Sequence, residues 1–275
     1  MQIWSNTKTL DGFVPNLTFT SDKAAAVVAL VGGKKIELND FPRLRGNFKT
    51  GVGRDNVPEA EAAQRGIACG FPSPQTAEII YEETANFACH LILQCAFAGA
   101  GDFAAWSKKD RRALASHRLL IVGGGDIGRP VAAKMAPFMQ VDTFDVAINK
   151  SEELEAKVRA ADCISLHVPL NASTRDLINR EVLGWMRDGA ALVNTARGAV
   201  VSEEALFEEL QSGRLRAAFD VFWNEPYAGK LLGLPGDRFI RSPHVASTCR
   251  EFLAATAADL LRFISGLDSA NAGKA

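Results

Sequence analysis

Three glycines with the spacing G-x-G-x-x-G are the residues of this chain whose types and positions first suggest chemistry. They are Gly123, Gly125 and Gly128, and they directly follow an apolar run at residues 119–122. In such a strand-to-helix turn the first glycine allows the bend, the second lets backbone approach a pyrophosphate, and the third allows close packing of helix on strand. The first amides of the helix then point at the phosphates. The pattern predicts a dinucleotide site.

An acidic residue at the right distance supports this interpretation. Asp145 follows Gly125 by twenty residues, after a predicted helix at 127–139 and a predicted strand at 141–144. A carboxylate there accepts hydrogen bonds from both ribose hydroxyls and repels a 2′-phosphate, which favours NAD over NADP. The alternatives are a plain loop for the glycines and a turn cap for Asp145.

More polar residues follow the later predicted strands. Beyond Asp145 the pattern alternates between helices (152–161, 180–186, 203–210) and strands (163–168, 190–193, 217–221). Alternation of this kind predicts a parallel α/β sheet, in which ligands gather beyond the carboxyl ends of the strands. The residues at these ends are His167, Pro169, Thr195, Ala196, Arg197, Gly198, Asp220, Glu225 and His244.

The whole chain has the composition of an ordinary globular protein. Its 275 residues predict about two domains. A net charge of -1 argues against a nucleic acid or anionic membrane partner, and no apolar run is long enough for a membrane span. The N-terminal residues lack the features of a secretory signal, and the five scattered cysteines suggest reduced thiols and no metal site, so we expect a cytoplasmic protein.

The first part of the chain carries one informative loop, TGVGRDN at residues 50–56. Glycines on both sides of Val52 leave backbone amides able to face a ligand, although an ordinary strand-to-helix turn has the same composition. A long helical stretch, 74–94, has Ser73 as a possible N-cap and is long enough to connect two domains. His90, on that stretch, is interpreted as a core residue.

Together these segments resemble the D-isomer-specific 2-hydroxyacid dehydrogenases over residues 49–247. The similar segments, in the family's order, are TGVGRDNV, the glycine turn with Asp145, ADCISLHVPLNASTRDLIN, LVNTARGAVVSEEAL, GRLRAAFDVFWNEP and SPHVAS. The resemblance implies an α/β fold of two lobes. A doubly wound parallel-sheet (Rossmann) dinucleotide domain, 93–248, would be inserted in a smaller flavodoxin-like α/β substrate domain, 1–92, to which a C-terminal helix, 249–275, returns. Homodimers are usual in the family.

The resemblance also implies roles for individual residues. Arg197 corresponds to the substrate-binding arginine, Glu225 to the acid partner and His244 to the catalytic histidine. Val52 and Gly53 would hold the substrate carboxylate through their amides, with Arg54 beside them. The cofactor-binding residues expected from the resemblance and the turn are Gly123, Gly125, Asp126, Ile127, Gly128, Asp145, His167, Pro169, Thr174, Thr195, Ala196 and Asp220, the last at the nicotinamide carboxamide.

Elementary chemistry supports the same roles. Reduction of a 2-keto acid needs a hydride donor, a cation that fixes the carboxylate and polarises the carbonyl, and an acid that protonates the new alkoxide. Arg197 suits the second task because its planar guanidinium binds a carboxylate through two hydrogen bonds. His244 suits the third because imidazole exchanges protons near neutrality, and Glu225 would orient it and favour its charged form. Without the resemblance, a surface ion pair and a turn histidine would describe Arg197 and His244 equally well.

Three further features bear on cofactor and substrate binding. Asp126 stands in the glycine turn where the family often has a basic or neutral residue, and its charge would weaken pyrophosphate binding unless Arg129 offsets it. The chain before the turn is shorter than expected, which predicts an abbreviated substrate lobe. Arg54, if it turns inward, would select a substrate with a second anionic group; the alternative is a solvated arginine, paired with Asp55.

The sequence therefore predicts an NAD-dependent oxidoreductase that interconverts a D-2-hydroxy acid and its 2-keto acid. Two other functions are compatible with the same lobes. One is an NAD(H)-sensing binding protein without turnover, and the other is a phosphite-type dehydrogenase. A formate-type enzyme is disfavoured by resemblance, because residue 225 is glutamate and not glutamine.

Overall fold

The computed structural model describes residues 1–272, which form two compact units. Unit 1 consists of Met1–Ile80 together with the segment that begins at Ser247, and unit 2 is Tyr81–Ala246. The structural division thus falls inside a long helix, between Ile80 and Tyr81, and again between Ala246 and Ser247. The boundaries 1–92, 93–248 and 249–275 stay a prediction.

Helices and strands alternate along most of the chain. The strands are β1 Gln2–Ser5, β2 Thr18–Phe19, β3 Val28–Val31, β4 Gly46–Lys49, β5 Ala68–Gly70, β6 Gly101–Asp102, β7 Ser107–Lys108, β8 Arg118–Val122, β9 Gln140–Phe144, β10 Cys163–Leu166, β11 Ala191–Asn194, β12 Arg216–Phe219 and β13 Phe239–Arg241. The α-helices are α1 Glu59–Gln64, α2 Pro74–Phe97, α3 Gly128–Met135, α4 Glu152–Ala160, α5 Arg180–Trp185, α6 Glu203–Gln211 and α7 Arg250–Ala272.

Unit 1 is built on a parallel sheet with the order β2-β1-β3-β4-β5, which is the flavodoxin order. Helix α7 packs on this sheet where two strands carry glycine. A Cβ on Gly46 or Gly70 would come within 3 Å of the Phe263 ring, so both glycines make room for that side chain. The sequence at these strands therefore explains how the C-terminal helix joins the first unit.

A buried carboxylate strengthens the same connection. Asp259 of α7 accepts hydrogen bonds from the Ser73 amide at 2.8 Å and the Thr76 hydroxyl at 2.7 Å, at the N-terminus of α2. A carboxylate at a helix N-terminus satisfies amides that have no partner within the helix and complements the helix dipole. Ser73 itself also caps α2, because its hydroxyl accepts from the Thr76 amide at 3.3 Å.

Unit 2 is built on a six-stranded parallel sheet with the order β13-β12-β11-β10-β8-β9. Every residue of the central strands β10 and β11 is buried, as expected where helices cover both faces. The chain reverses its direction of winding between β8 and β10. In open sheets of this type the crevice beyond the carboxyl ends at such a point is the usual ligand site.

The structure differs locally from the predicted elements. The helix after the glycine turn ends at Met135 and not at Met139, because Pro137 has no amide hydrogen with which to continue the helical hydrogen bonds. Strands β2, β4 and β13 were not predicted, and the polar segment after α2 contains an antiparallel hairpin of β6 and β7. No helix among residues 1–272 combines the length and hydropathy of a membrane span.

Candidate active site

The three glycines of the turn between β8 and α3 differ in their surroundings. Gly123 has a φ of +103°, and a Cβ there would lie 2.5 Å from the carbonyl oxygen of His167. A Cβ on Gly128 would lie 1.8 Å from the carbonyl oxygen of Gly123. At Gly125 no atom of the described residues 1–272 lies within 4 Å of an added Cβ. Two glycines are thus required by the fold, whereas Gly125 leaves open space at the backbone, as a pyrophosphate would need.

Asp145 connects this turn to the end of β9. Its Oδ2 accepts from the Gly124 amide at 2.7 Å, and its Oδ1 accepts from the Ala147 amide at 2.9 Å. A carboxylate offers about four acceptor positions, so two remain for ribose hydroxyls. The carboxylate both holds the turn and keeps capacity for a ligand.

Asp126, the acidic residue within the turn, points to solvent. Its side chain is 61% exposed and lies 3.4 Å from the guanidinium of Arg129. A pair this exposed contributes little to stability, but Arg129 partly neutralises the carboxylate. Ile127, the next residue, packs against the core beneath α3.

Two buried polar atoms that have no hydrogen-bond partner in the described part of the chain lie after β10 and β11. They are Nδ1 of His167 and Oγ1 of Thr195. Burial lowers the pKa of His167 to about 3, so the imidazole is neutral, and its Nε2 is 2.9 Å from the Ser165 hydroxyl. Unpaired buried polar atoms are uncommon in native proteins. Together with the open backbone at Gly125, they fit a dinucleotide at this edge of the sheet.

The remaining predicted cofactor residues lie on the same loops. Pro169 is exposed and Ala196 is half-buried. Thr174 is fully buried, and its hydroxyl donates to the carbonyl of Pro169 at 2.5 Å. Its observed contact therefore shapes the loop after β10.

His244 and Glu225 form a pair in unit 2. Nδ1 of His244 lies 2.8 Å from Oε2 of Glu225, whose Oε1 accepts from the Phe222 amide at 3.1 Å. Burial alone would raise the pKa of Glu225, but the hydrogen bond from His244 and the nearby charges of His244 and Arg197 hold it below its usual value. Since an ionised carboxylate only accepts, Nδ1 carries the proton and Nε2 is left for a substrate.

Arg197 follows β11 on a loop that two unpredicted features shape. Asn194 is fully buried, and its side chain accepts from the Ala196 amide and donates to the Arg197 carbonyl, both at 2.9 Å. A Cβ on Gly198 would lie 2.1 Å from the carbonyl carbon of Phe222. Because Gly198 lacks that atom, the Arg197 loop can lie directly against the loop that leads to Glu225.

Asp220 lies at the end of β12 and is completely buried. Its Oδ1 accepts from the Ser242 hydroxyl at 2.5 Å and the Val245 amide at 2.9 Å, and its Oδ2 accepts from the Ala246 amide at 2.8 Å. Burial raises the pKa of Asp220 although these hydrogen bonds oppose the shift. The sequence did not single out Ser242, because only the fold brings it to Asp220.

The predicted carboxylate loop lies in unit 1, after β4. Val52 and Gly53 are half-buried, and neither amide is a donor in the backbone hydrogen bonds of the described loops. Arg54 pairs with Glu59 at 2.9 Å, and its guanidinium lies 3.9 Å from the centroid of the Phe71 ring. The side chain is 60% exposed. Arg54 therefore has a local anionic partner and an aromatic one within its own unit.

Known proteins with similar sequences belong to one enzyme family. The sequence model for the NAD-binding domain of D-isomer specific 2-hydroxyacid dehydrogenases matches residues 96–246, which is more than half of the chain. The hydroxypyruvate reductase of Thermotoga maritima is 36% identical over 74% of this chain and 71% of its own length. The glyoxylate reductase of Thermococcus litoralis is 31% identical over 82% of this chain and 75% of its own length.

A solved structure supports the fold. The D-lactate dehydrogenase of Aquifex aeolicus, determined with NAD and lactic acid, superimposes with a TM-score of 0.82 over 99% of this chain and 97% of that chain. The two sequences are 23% identical. The prediction of a parallel-sheet α/β fold with a Rossmann-like dinucleotide domain is confirmed.

Proposed function

The chain belongs to the D-isomer-specific 2-hydroxyacid dehydrogenase family, and we propose that His244, Glu225 and Arg197 are the residues with which it interconverts a D-2-hydroxy acid and its 2-keto acid. The observation that carries this assignment is the 2.8 Å contact between His244 Nδ1 and Glu225 Oε2. It leaves one imidazole nitrogen available for acid–base chemistry. The chain is an NAD-dependent oxidoreductase, and its glycine turn and the unpaired atoms of His167 and Thr195 fit that cofactor.

Each residue then has a defined task during reduction. The hydride that reaches C2 of the keto acid is supplied by bound NADH. His244 donates the Nε2 proton to the carbonyl oxygen, and Glu225 remains ionised and orients the ring. Arg197 binds the carboxylate and polarises the carbonyl. In the oxidation direction neutral His244 takes the hydroxyl proton back.

We propose a small monoanionic keto acid as substrate. Arg54 already pairs with Glu59, stacks on Phe71 and is largely exposed, so it does not provide a second buried cation for a distal anionic group. Two of the similar enzymes, the hydroxypyruvate reductase and the glyoxylate reductase, are named for substrates of this class.

A substrate panel tests this function. Glyoxylate, hydroxypyruvate and pyruvate should be reduced with NADH at higher kcat/KM than oxaloacetate or 2-oxoglutarate. Phosphite with NAD serves as the control for the non-carbon alternative. Tight NADH binding without turnover of any keto acid would contradict the proposal and favour a sensing role.

We further propose a homodimer. The hairpin of β6 and β7 carries Phe103 and Trp106, which are 87% and 81% exposed and pack edge-to-face at 5.6 Å between centroids. Exposed apolar patches on globular proteins commonly mark interaction sites. Replacement of both rings by serine should shift the sedimentation coefficient from that of a dimer to that of a monomer. A wild-type protein that sediments as a monomer would refute the dimer.

We also propose a cytoplasmic location, which is supported by the five cysteines, all of them free thiols in the structure.

A further inference from the structure

His244 has a left-handed backbone conformation, which is uncommon in residues other than glycine. Its φ is +54°, in the left-handed region that glycine adopts freely and other residues adopt at an energetic cost. The residue lies in a loop after β13, outside any helix or strand. Surrounding contacts must therefore hold it there.

These contacts come largely from one residue. The amide of His244 donates to the carbonyl oxygen of Asp220 at 2.8 Å. The Asp220 carboxylate accepts from Ser242 before the histidine and from Val245 and Ala246 after it. Asp220 thus binds the loop on both sides of His244 in the sequence.

Ser242 contributes the side-chain donor of this arrangement. Its hydroxyl donates to Asp220 Oδ1 at 2.5 Å, and its amide continues the pairing of β13 with β12 by donating to the Phe219 carbonyl at 3.0 Å. A hydrogen bond to a carboxylate is stronger than one between neutral groups. Without the hydroxyl, one oxygen of a completely buried carboxylate would lose a donor.

We infer that Ser242 is a positioning residue for His244, which acts by holding the Asp220 carboxylate that fixes the left-handed turn. This inference rests on the proposed function of His244. The role differs from a contact with the nicotinamide carboxamide, since three of about four acceptor positions on Asp220 are used within the chain. A displaced imidazole would slow proton transfer without altering the groups that bind the carboxylate or the dinucleotide.

The test compares Ser242→Ala with Ser242→Thr, which keeps a hydroxyl, and with Ser202→Ala. Ser202 is a suitable control because it is half-buried in the same unit and its side chain makes no cap hydrogen bond at α6. Rates are normalised to NADH-binding sites counted by fluorescence titration, so misfolded protein does not contribute. Ser242→Ala should lower kcat about tenfold, with KM for the keto acid and Kd for NADH within about twofold of wild type. Ser242→Thr should retain most of kcat, and Ser202→Ala should retain all of it.

Three outcomes would overturn the inference. They are a kcat of Ser242→Ala within twofold of wild type, a parallel weakening of NADH binding, and a Ser242→Thr variant that is as slow as the alanine variant. His244→Ala, measured alongside, separates these results from failure of the proposed function: if that variant is also near wild type, the assignment of His244 itself is wrong.

Discussion

Two turns at the carboxyl edge of the unit 2 sheet adopt left-handed backbone, and they are stabilised in opposite ways. Gly123 has a φ of +103° and no side chain to strain, whereas His244 has a φ of +54° and is bound by the backbone and carboxylate of Asp220. In the proposed site the first turn would present backbone amides to the cofactor, and a glycine can do this. The second turn would present the imidazole of His244, which a glycine cannot supply, and hydrogen bonds from Asp220 stabilise that turn instead. Hydrogen bonds that stabilise a left-handed turn at a residue other than glycine thus help to identify a functional side chain.

The largest expected effect breaks the glycine turn. In Gly128→Ala the new Cβ would lie 1.8 Å from the Gly123 carbonyl oxygen, so backbone must move. We expect the free energy of unfolding in urea to fall by about 3 kcal/mol.

Gly125→Ala is the matched control, because none of the described residues has an atom within 4 Å of the added Cβ. Its free energy of unfolding should stay within about 0.5 kcal/mol of wild type, while NADH binding weakens. If both variants lost the same free energy of unfolding, the close contact at Gly128 would not be the cause of the loss.

The next effect concerns the carboxylate beside the glycine turn. Wild type should bind NADH more tightly than NADPH, because Asp145 repels a 2′-phosphate. Asp145→Asn should improve NADPH affinity about tenfold, because it removes the partly screened repulsion between the carboxylate and the 2′-phosphate. Fluorescence titration with both reduced cofactors measures this ratio. A wild-type preference for NADPH would contradict the role assigned to Asp145.

A smaller effect is expected for the pair of Glu225 and His244. The pKa of Glu225 is held below its usual value, so its carboxylate adds stability that is complete above the pKa of an unfolded glutamate, about 4.3. That contribution is lost as pH falls through the lowered pKa of the folded state. Wild type should therefore exceed Glu225→Gln in free energy of unfolding by no more than about 1 kcal/mol near pH 6, since both side chains are partly exposed. If the difference in free energy of unfolding between wild type and Glu225→Gln grew as the pH was lowered, the lowered pKa of Glu225 would be contradicted.

The smallest effect is expected in the unit 1 loop. Arg54→Met should change kcat/KM for glyoxylate and for oxaloacetate by the same factor, about twofold or less, because Arg54 pairs with Glu59 at an exposed site. Steady-state kinetics with both substrates measures the difference between the two factors. A loss confined to the dianionic substrate would mean that Arg54 turns toward substrate in the working enzyme.

The two turns also differ in how far the sequence predicts them. The glycine turn and Asp145 lie within 23 residues of one another, and their spacing alone predicts the strand, the bend and the ribose carboxylate. His244 and Glu225 were predicted only through family resemblance. Ser242, which bonds Asp220 beside His244, and Asn194, which shapes the Arg197 loop, were not predicted, since tertiary structure sets their hydrogen-bond partners.

The first unit was the harder one to predict. Strand β4 was missed because Asn47 and Lys49 interrupt its apolar pattern, although all four of its residues are buried. The pairing of Arg54 with Glu59 depends on where α1 begins, which sequence patterns locate only within a few residues. Buried polar strands and local ion pairs follow from packing rather than from periodicity.

The most direct test of the account is the kinetics of His244→Ala with glyoxylate and NADH. If the imidazole is the proton donor, kcat should fall by about two to four orders of magnitude while Kd for NADH stays within about twofold of wild type. Turnover near the wild-type value would contradict the assignment of His244 as the acid–base residue.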